Sequence, residues 1–340
     1  MLACLLEETR KITVKEVQAP KLSSGDVLVK MEACGVCGTD LEKIDGKLGP
    51  GGILGHEPSG TVQEITDRSN DYKPGDRVVA HHHVPCYNCS SCLMGDPTIC
   101  ERFKKTNLDP CGLATSFRVP RYNVERGALI RLPKELTFEE GAMIEPTACC
   151  IRAIRKAHVR KEDNVLVVGL GPTGLTQTQI LRNLTSRKII GTDIIDSRLK
   201  LGARLGADET VNARVENVPE TVMNLTRDGA DLAVVATGNV QALDQAFASV
   251  RKGGRVLLFG APSVGARYQL DVSGLFSNQI SLISSYSCVE SEMHEAMQLV
   301  SSRGIDVRSL ISDKFALKEA AKALDYARTS TTAIKTIITS

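Results

Sequence analysis

Four cysteines are spaced Cys86-x2-Cys89-x2-Cys92-x7-Cys100. Four thiolates this close can surround one Zn2+ ion tetrahedrally and leave no coordination position open, as in a structural site. A ferredoxin-type iron–sulfur run places its last cysteine three residues on, with a proline behind it. Here the last gap is seven and Glu101 follows, which favours zinc. A sparser set lies earlier. Gly35-Val36-Cys37-Gly38-Thr39-Asp40 is followed by Gly55-His56-Glu57-Pro58-Ser59-Gly60. A catalytic zinc needs about three protein ligands and one exchangeable position. Cys37 and His56 offer a soft and a borderline donor, and carboxylates are available from Glu57 and from Glu145 in Ile144-Glu145-Pro146. Alone, one Cys and one His are more often core or surface residues than ligands. Beside the four-Cys set and a nucleotide motif, the balance reverses.

That motif is Gly169-Leu170-Gly171-Pro172-Thr173-Gly174. It follows the apolar run Val165 to Val168 and opens a helical stretch. Its glycines permit a tight turn and the close approach of a pyrophosphate to unpaired backbone N–H groups at a helix N-terminus. Asp193 stands nineteen residues past Gly174, at the end of the next apolar run, where an acid should hold a ribose 2′-hydroxyl. A carboxylate there repels a 2′-phosphate, so NAD is the expected coenzyme. Arg198, five residues further on, is the group that could attract that phosphate instead.

These residues need two kinds of scaffold. Up to about residue 145 the chain carries short β-branched runs bounded by turn residues: Lys11-Ile12-Thr13-Val14, Val27-Leu28-Val29-Lys30 and Arg77-Val78-Val79-Ala80. They predict an irregular β-rich domain. From Asp163 the texture changes. Apolar runs at Val165–Val168, Ile189-Ile190, Leu232–Val235, Val256–Phe259 and Ile280–Ile283 alternate with helical periodicity, as over Arg198–Leu205 and Val240–Val250. Strands buried on both faces and separated by helices predict a parallel, doubly wound α/β sheet. Two further helices, Glu290–Ser302 and Lys318–Tyr326, and a strand, Ala333–Thr339, complete the chain.

Composition is that of a globular protein. Of 340 residues 42% are hydrophobic and 24% charged, and 42 basic side chains nearly balance 40 acidic ones. No basic run of useful length is present, which speaks against nucleic-acid or membrane-surface partners. No apolar segment reaches the roughly 18 residues of a spanning helix, and Met1-Leu2-Ala3-Cys4-Leu5-Leu6 lacks the basic leader and length of a signal peptide. A cytoplasmic protein is expected. Eleven cysteines, an odd number in a long chain, argue against a secreted disulfide framework. His81-His82-His83 and the vicinal Cys149-Cys150 read as packed or solvated residues. Cys4, Cys34, Cys111 and Cys288 have no spacing partner and read as lone thiols.

In motif order and over its whole length the chain resembles the zinc-dependent medium-chain alcohol dehydrogenases. The order runs from the Cys37 motif and the Gly-His-Glu through Pro74-Gly75-Asp76-Arg77-Val78 and the four-Cys lobe to the nucleotide fingerprint. Glu145-Pro146 and the Gly-His-Glu are similar to the polyol (sorbitol-like) and threonine dehydrogenase branch. The resemblance implies a GroES-like catalytic domain from residues 1–146 and 287–340, and a Rossmann NAD-binding domain from 147–286. It implies a glutamate as third zinc ligand, Glu57 or Glu145, one of them binding through water. It also implies that Thr39 contacts the substrate oxygen and relays its proton, that Arg198 packs by the adenosine, and that the protein forms a homodimer or homotetramer.

The expected reaction is reversible oxidation of a secondary alcohol or polyol to a ketone with NAD. L-Threonine 3-dehydrogenase and a glucose-type sugar dehydrogenase are the alternatives. Threonine enzymes of the branch usually carry a longer, aromatic-containing segment after the catalytic Cys, and Leu41–Gly52 is short and has none. A non-enzymatic NAD sensor is disfavoured because the zinc ligands are retained.

Overall fold

The computed structural model describes residues 1–48, 54–67 and 71–340, so the end of the Leu41–Gly52 segment lies outside the described residues. The chain divides into two compact units. One comprises Met1–Ala148, Ser287–Arg303 and Val307–Ser340, and the other Cys149–Tyr286 with Gly304–Asp306. No helix among the described residues is long and apolar enough to cross a membrane.

The first unit is built on a seven-stranded sheet. Its middle strand, Val27–Gly35, pairs antiparallel with Glu57–Ile65, with Lys335–Thr339 and with Ser116–Val119. The sheet continues outward to Arg77–Ala80 and Leu129–Arg131 on one side and to Ile311–Ala316 on the other. Alternation explains the middle strand: Val27, Val29, Met31 and Ala33 point to one face and are fully buried, the period-two pattern of a sheet over a core. Phe117, Val119, Leu324 and Ile338 fill that core. Leu2–Glu8 and Lys11–Glu16 form a separate hairpin.

The second unit is a six-stranded sheet, all parallel. Its spatial order is Glu209–Asn212, Ile189–Asp193, Val165–Val168, Ala230–Val235, Val250–Leu258 and Ser281–Ser284. Val165–Val168 is buried throughout, as a strand covered on both faces must be. The chain reverses its direction of travel across the sheet at this strand. In open α/β sheets such a switch point is where ligands bind, beyond the carboxyl ends of the strands. The Gly-rich turn sits there. Two details differ from expectation. The stretch Val240–Val250 is a helix, Ala242–Ser249, that ends where the next strand begins. Strand Glu209–Asn212 carries no apolar run, because only Val211 in it is buried.

Candidate active site

Sheet register brings the sparse set together. Gly35, at the end of the middle strand, lies opposite Glu57 on one neighbour and Ile337 on the other. Lys335 starts the latter strand, and its Nζ donates to Glu57 Oε2; the two side chains are 3% and 0% exposed. A Cβ added to Gly35 would lie 1.9 Å from Glu57 Oε2, so glycine makes room for the pair. Burial by itself would push Lys335 down, but the charges of Glu57 and Cys37 outweigh it and raise the ammonium above its usual range. Glu57 Oε1 is buried and has no hydrogen-bond partner among the described residues. A native protein rarely leaves a carboxylate oxygen in that condition. A cation would satisfy it.

The donors for one are at hand. Cys37 Sγ, a ring nitrogen of His56 and a carboxylate oxygen of Glu57 all lie within 4.8 Å of one another. Asp40, fully buried, holds this corner in place. Its Oδ2 accepts the Cys37 backbone N–H at 3.1 Å, and its Oδ1 accepts that of Gly55 at 3.1 Å. Oδ1 is also 3.4 Å from His56 Nδ1. Burial would lower His56, yet the Asp40 and Cys37 charges more than offset it and raise the imidazole well above its ordinary value. A carboxylate on Nδ1 fixes the tautomer and leaves Nε2 to face an ion. Sequence reasoning assigned Asp40 no role. Its position three residues after Cys37, in the first turn of a helix, was the available signal.

Thr39 is placed differently from a helix cap. The helix spans Gly38–Ile44 and its N-cap is Cys37, with Asp40 accepting from the cap N–H. Thr39 therefore lies inside the first turn, its Oγ1 3.6 Å from Cys37 Sγ. Glu145, in the first turn of Ile144–Lys156, lies outside the 4.8 Å donor group of Cys37, His56 and Glu57, but its charge reaches Lys335, the partner of Glu57. Its carboxylate also gathers with His81 and Cys288, all three buried, with donor atoms within 4.8 Å of one another. Burial pushes His81 down to about 3, so its ring is neutral. His81 and Cys288 are 207 residues apart, and no local pattern pairs them.

The four cysteines converge as their spacing requires. Sγ–Sγ distances are 3.5 Å for Cys89–Cys92, 3.5 Å for Cys86–Cys100 and 4.0 Å for Cys86–Cys92. Burial raises the Cys100 thiol, but backbone N–H groups of Cys86, Arg102 and Phe103 outweigh that and bring it down to about 6. N–H donors aimed at a sulfur are what a thiolate ligand needs.

In the second unit the fingerprint has the shape of a phosphate cradle. Gly169 adopts φ +94°, in the left-handed region. A Cβ at Gly174 would sit 1.9 Å from the Gly169 carbonyl oxygen, whereas one at Gly171 would meet nothing within 4 Å. The third glycine thus permits close packing, and the second opens onto free space. Gly171 caps the helix Pro172–Arg182, with Pro172 and Thr173 in its first turn; a proline there sacrifices no hydrogen bond. Asp193 Oδ2 accepts Leu170 N–H at 2.8 Å, and Oδ1 accepts those of Ile194 and Ile195 at 2.7 and 3.0 Å. Arg198 Nη1 is 3.9 Å from Asp193 Oδ2. The acid is held at the strand end beside the glycine turn.

Family models extend the picture. Residues 23–131 match the alcohol dehydrogenase GroES-like domain, and residues 172–302 match the zinc-binding dehydrogenase domain. The zinc-type alcohol dehydrogenase-like protein YphC of Escherichia coli is 30% identical, over 95% of this chain and 94% of its own. The chain belongs to the zinc-type alcohol dehydrogenase family. It is an oxidoreductase. Sorbitol dehydrogenase of Bacillus subtilis is 28% identical over 96% of this chain and 93% of its own, in keeping with the polyol branch. A zinc-binding dehydrogenase of Sinorhizobium meliloti, solved bound to NADP, superposes with a TM-score of 0.89 at 25% identity, covering 100% of this chain and 99% of that one.

Proposed function

We propose that the protein oxidises a secondary alcohol or polyol to the ketone, reversibly, with NAD and one catalytic zinc, and carries a second, structural zinc in the four-Cys lobe. The observation that supports it most is the donor set Cys37, His56 and Glu57, with one Glu57 oxygen pinned by Lys335 and the other buried without a partner. These three residues hold the catalytic ion, with Glu145 the second carboxylate of the centre, acting through water. Asp40 orients His56, and Lys335 orients Glu57. Thr39 Oγ1 accepts the proton of the substrate hydroxyl and passes on its own. When bound, zinc supplies a Lewis acid for the alcohol oxygen and NAD the hydride acceptor. The test is NADH formation with sorbitol, xylitol, threonine, glucose and simple secondary alcohols. Turnover of threonine or glucose would select the alternative substrates, and none at all would favour an NAD-binding sensor.

The coenzyme preference follows from Asp193, with Gly169, Gly171, Pro172, Thr173 and Gly174 receiving the pyrophosphate. A carboxylate beside the ribose accepts from a 2′-hydroxyl and repels a 2′-phosphate. NAD should therefore give the higher kcat/KM, and Asp193→Gly should shift preference toward NADP, with Arg198 left to attract the phosphate. The NADP bound by the Sinorhizobium protein makes the opposite outcome concrete. Equal or better kcat/KM with NADP in the unmodified protein would reject NAD as coenzyme.

The same reading includes a homo-oligomer. Strand Ser281–Ser284 is an edge of the six-stranded sheet, with Leu282 47% exposed and Phe276 of the preceding helix 83% exposed. An open apolar edge is a template for another strand, and a second copy offers the same edge. Leu282→Lys with Phe276→Glu should lower the mass seen by light scattering. An unchanged mass would place the contact elsewhere. All eleven cysteines are free of disulfides, which suits the reducing cytoplasm.

A further inference from the structure

Of the run His81-His82-His83, His82 is the ring that packs on His56, with centroids 5.0 Å apart. Its other neighbours hold it there. The His83 ring lies against it at 3.9 Å, and His81 meets it edge-on at 5.5 Å. His83 is itself fixed, its Nδ1 2.5 Å from the Thr106 carbonyl oxygen. The His82 carbonyl accepts the Asn123 side-chain amide at 3.0 Å. Any swing of the His82 ring breaks these contacts.

The protonation of that ring follows from its surroundings. Nδ1 is buried and has no hydrogen-bond partner among the described residues. A buried N–H without an acceptor is rarer in proteins than an under-used lone pair, so the single proton of the neutral imidazole sits on Nε2. His82 is only partly buried, and Nε2 is the nitrogen left open, neither enclosed nor bonded to a described residue. The result is a fixed N–H donor beside a ligand of the catalytic ion. Two coordination bonds of about 2 Å each separate His56 from a substrate oxygen on that ion. That span is comparable to the 5.0 Å between the rings, so a hydroxyl on the next carbon comes within reach of Nε2. We propose that His82 Nε2–H donates to this second hydroxyl and makes the site selective for vicinal diols and polyols over simple secondary alcohols. The bond leaves the reacting carbon untouched, so it acts on binding, and its loss should fall mainly on KM.

The inference rests on the reading of Cys37, His56 and Glu57 as the substrate-binding zinc set, and the test keeps the two separable. The probes are 2-butanol and 2,3-butanediol, which differ by one hydroxyl next to the reacting carbon. In the zinc-loaded full chain the diol should give the higher kcat/KM. His82→Phe keeps a ring and removes the N–H, and should lower the diol-to-alcohol ratio of kcat/KM by about 3- to 10-fold, the worth of one neutral hydrogen bond. His82→Gln, whose amide nitrogen can stand in for Nε2, should restore most of the ratio. Ligand-detected NMR titrations without coenzyme should show the same preference in Kd, lost in His82→Phe and recovered in His82→Gln; thermal melts identify folded material. Equal Kd for the two probes in the wild type, or a preference that His82→Phe leaves intact, would overturn the role of His82 and leave the dehydrogenase reading standing. A loss that His82→Gln does not recover would mark the ring as packing alone and would overturn it as well. A His82-dependent binding preference in a protein that oxidises neither probe would instead count against alcohol oxidation and keep the subsite.

Discussion

Thr39→Val should lower kcat by about 10²–10⁴, the usual contribution of a positioned acid–base group, while Thr39→Ser should keep most activity. Serine retains the hydroxyl. Valine keeps the shape and removes the proton path. The helix geometry makes this a clean experiment. Were Thr39 the N-cap, valine would also cost about 1 kcal/mol of stability, and a loss of activity could be read as damage. Cys37 holds the cap position, and Asp40 satisfies its N–H. Thr39 stands in the first turn, where threonine and valine differ little in helix propensity. The valine variant should therefore melt close to the wild type. Zinc content should match in both variants, because the donors proposed to hold the ion are Cys37, His56 and the glutamates, and both variants retain them. A fully active Thr39→Val enzyme would remove Thr39 from the mechanism.

How much of this was legible in sequence depends on where the partners of each residue lie. The four-Cys lobe and the glycine turn are local devices: all their parts fall within short stretches, so spacing alone carries the geometry. The parallel sheet was legible because strands buried on both faces read as continuous apolar runs, and Glu209–Asn212 escaped because it lacks one. Cys37, His56 and Glu57 could be picked out as donors, but what orients them could not. Lys335 reaches Glu57 only because their strands flank Gly35, 278 residues apart in sequence from one partner to the other. Asp40 meets Gly55 and His56 across fifteen and sixteen residues of chain, and no local spacing announces those contacts. Cys288 was read as a lone thiol because its neighbours, His81 and Glu145, are set by tertiary packing. Local chemistry is written locally; the residues that position it are supplied by sheet register and chain return.

Cys89→Ser is expected to release about one zinc per chain and to lower Tm, with order lost first around the lobe. The reason lies in how little else holds this segment. Leu93, Met94 and Ile99 are 76%, 80% and 63% exposed, so the apolar side chains of the loop contribute little burial. What core it has is Cys100, Phe103 and Val289, with three of the cysteines packed against them. The helix Ser90–Leu93 is a single turn, too short to persist alone. Free energy of ordering must then come from metal binding, which in zinc-finger peptides reaches about 10–16 kcal/mol. The backbone donors on Cys100 reinforce the point, since N–H groups directed at sulfur stabilise the thiolate that the ion requires. Removing one of four thiolates opens the coordination shell and weakens the affinity. Hydrogen exchange should rise across residues 86–100 while the six-stranded sheet keeps its protection. Tm and zinc content both unchanged in Cys89→Ser would refute a structural zinc in the lobe.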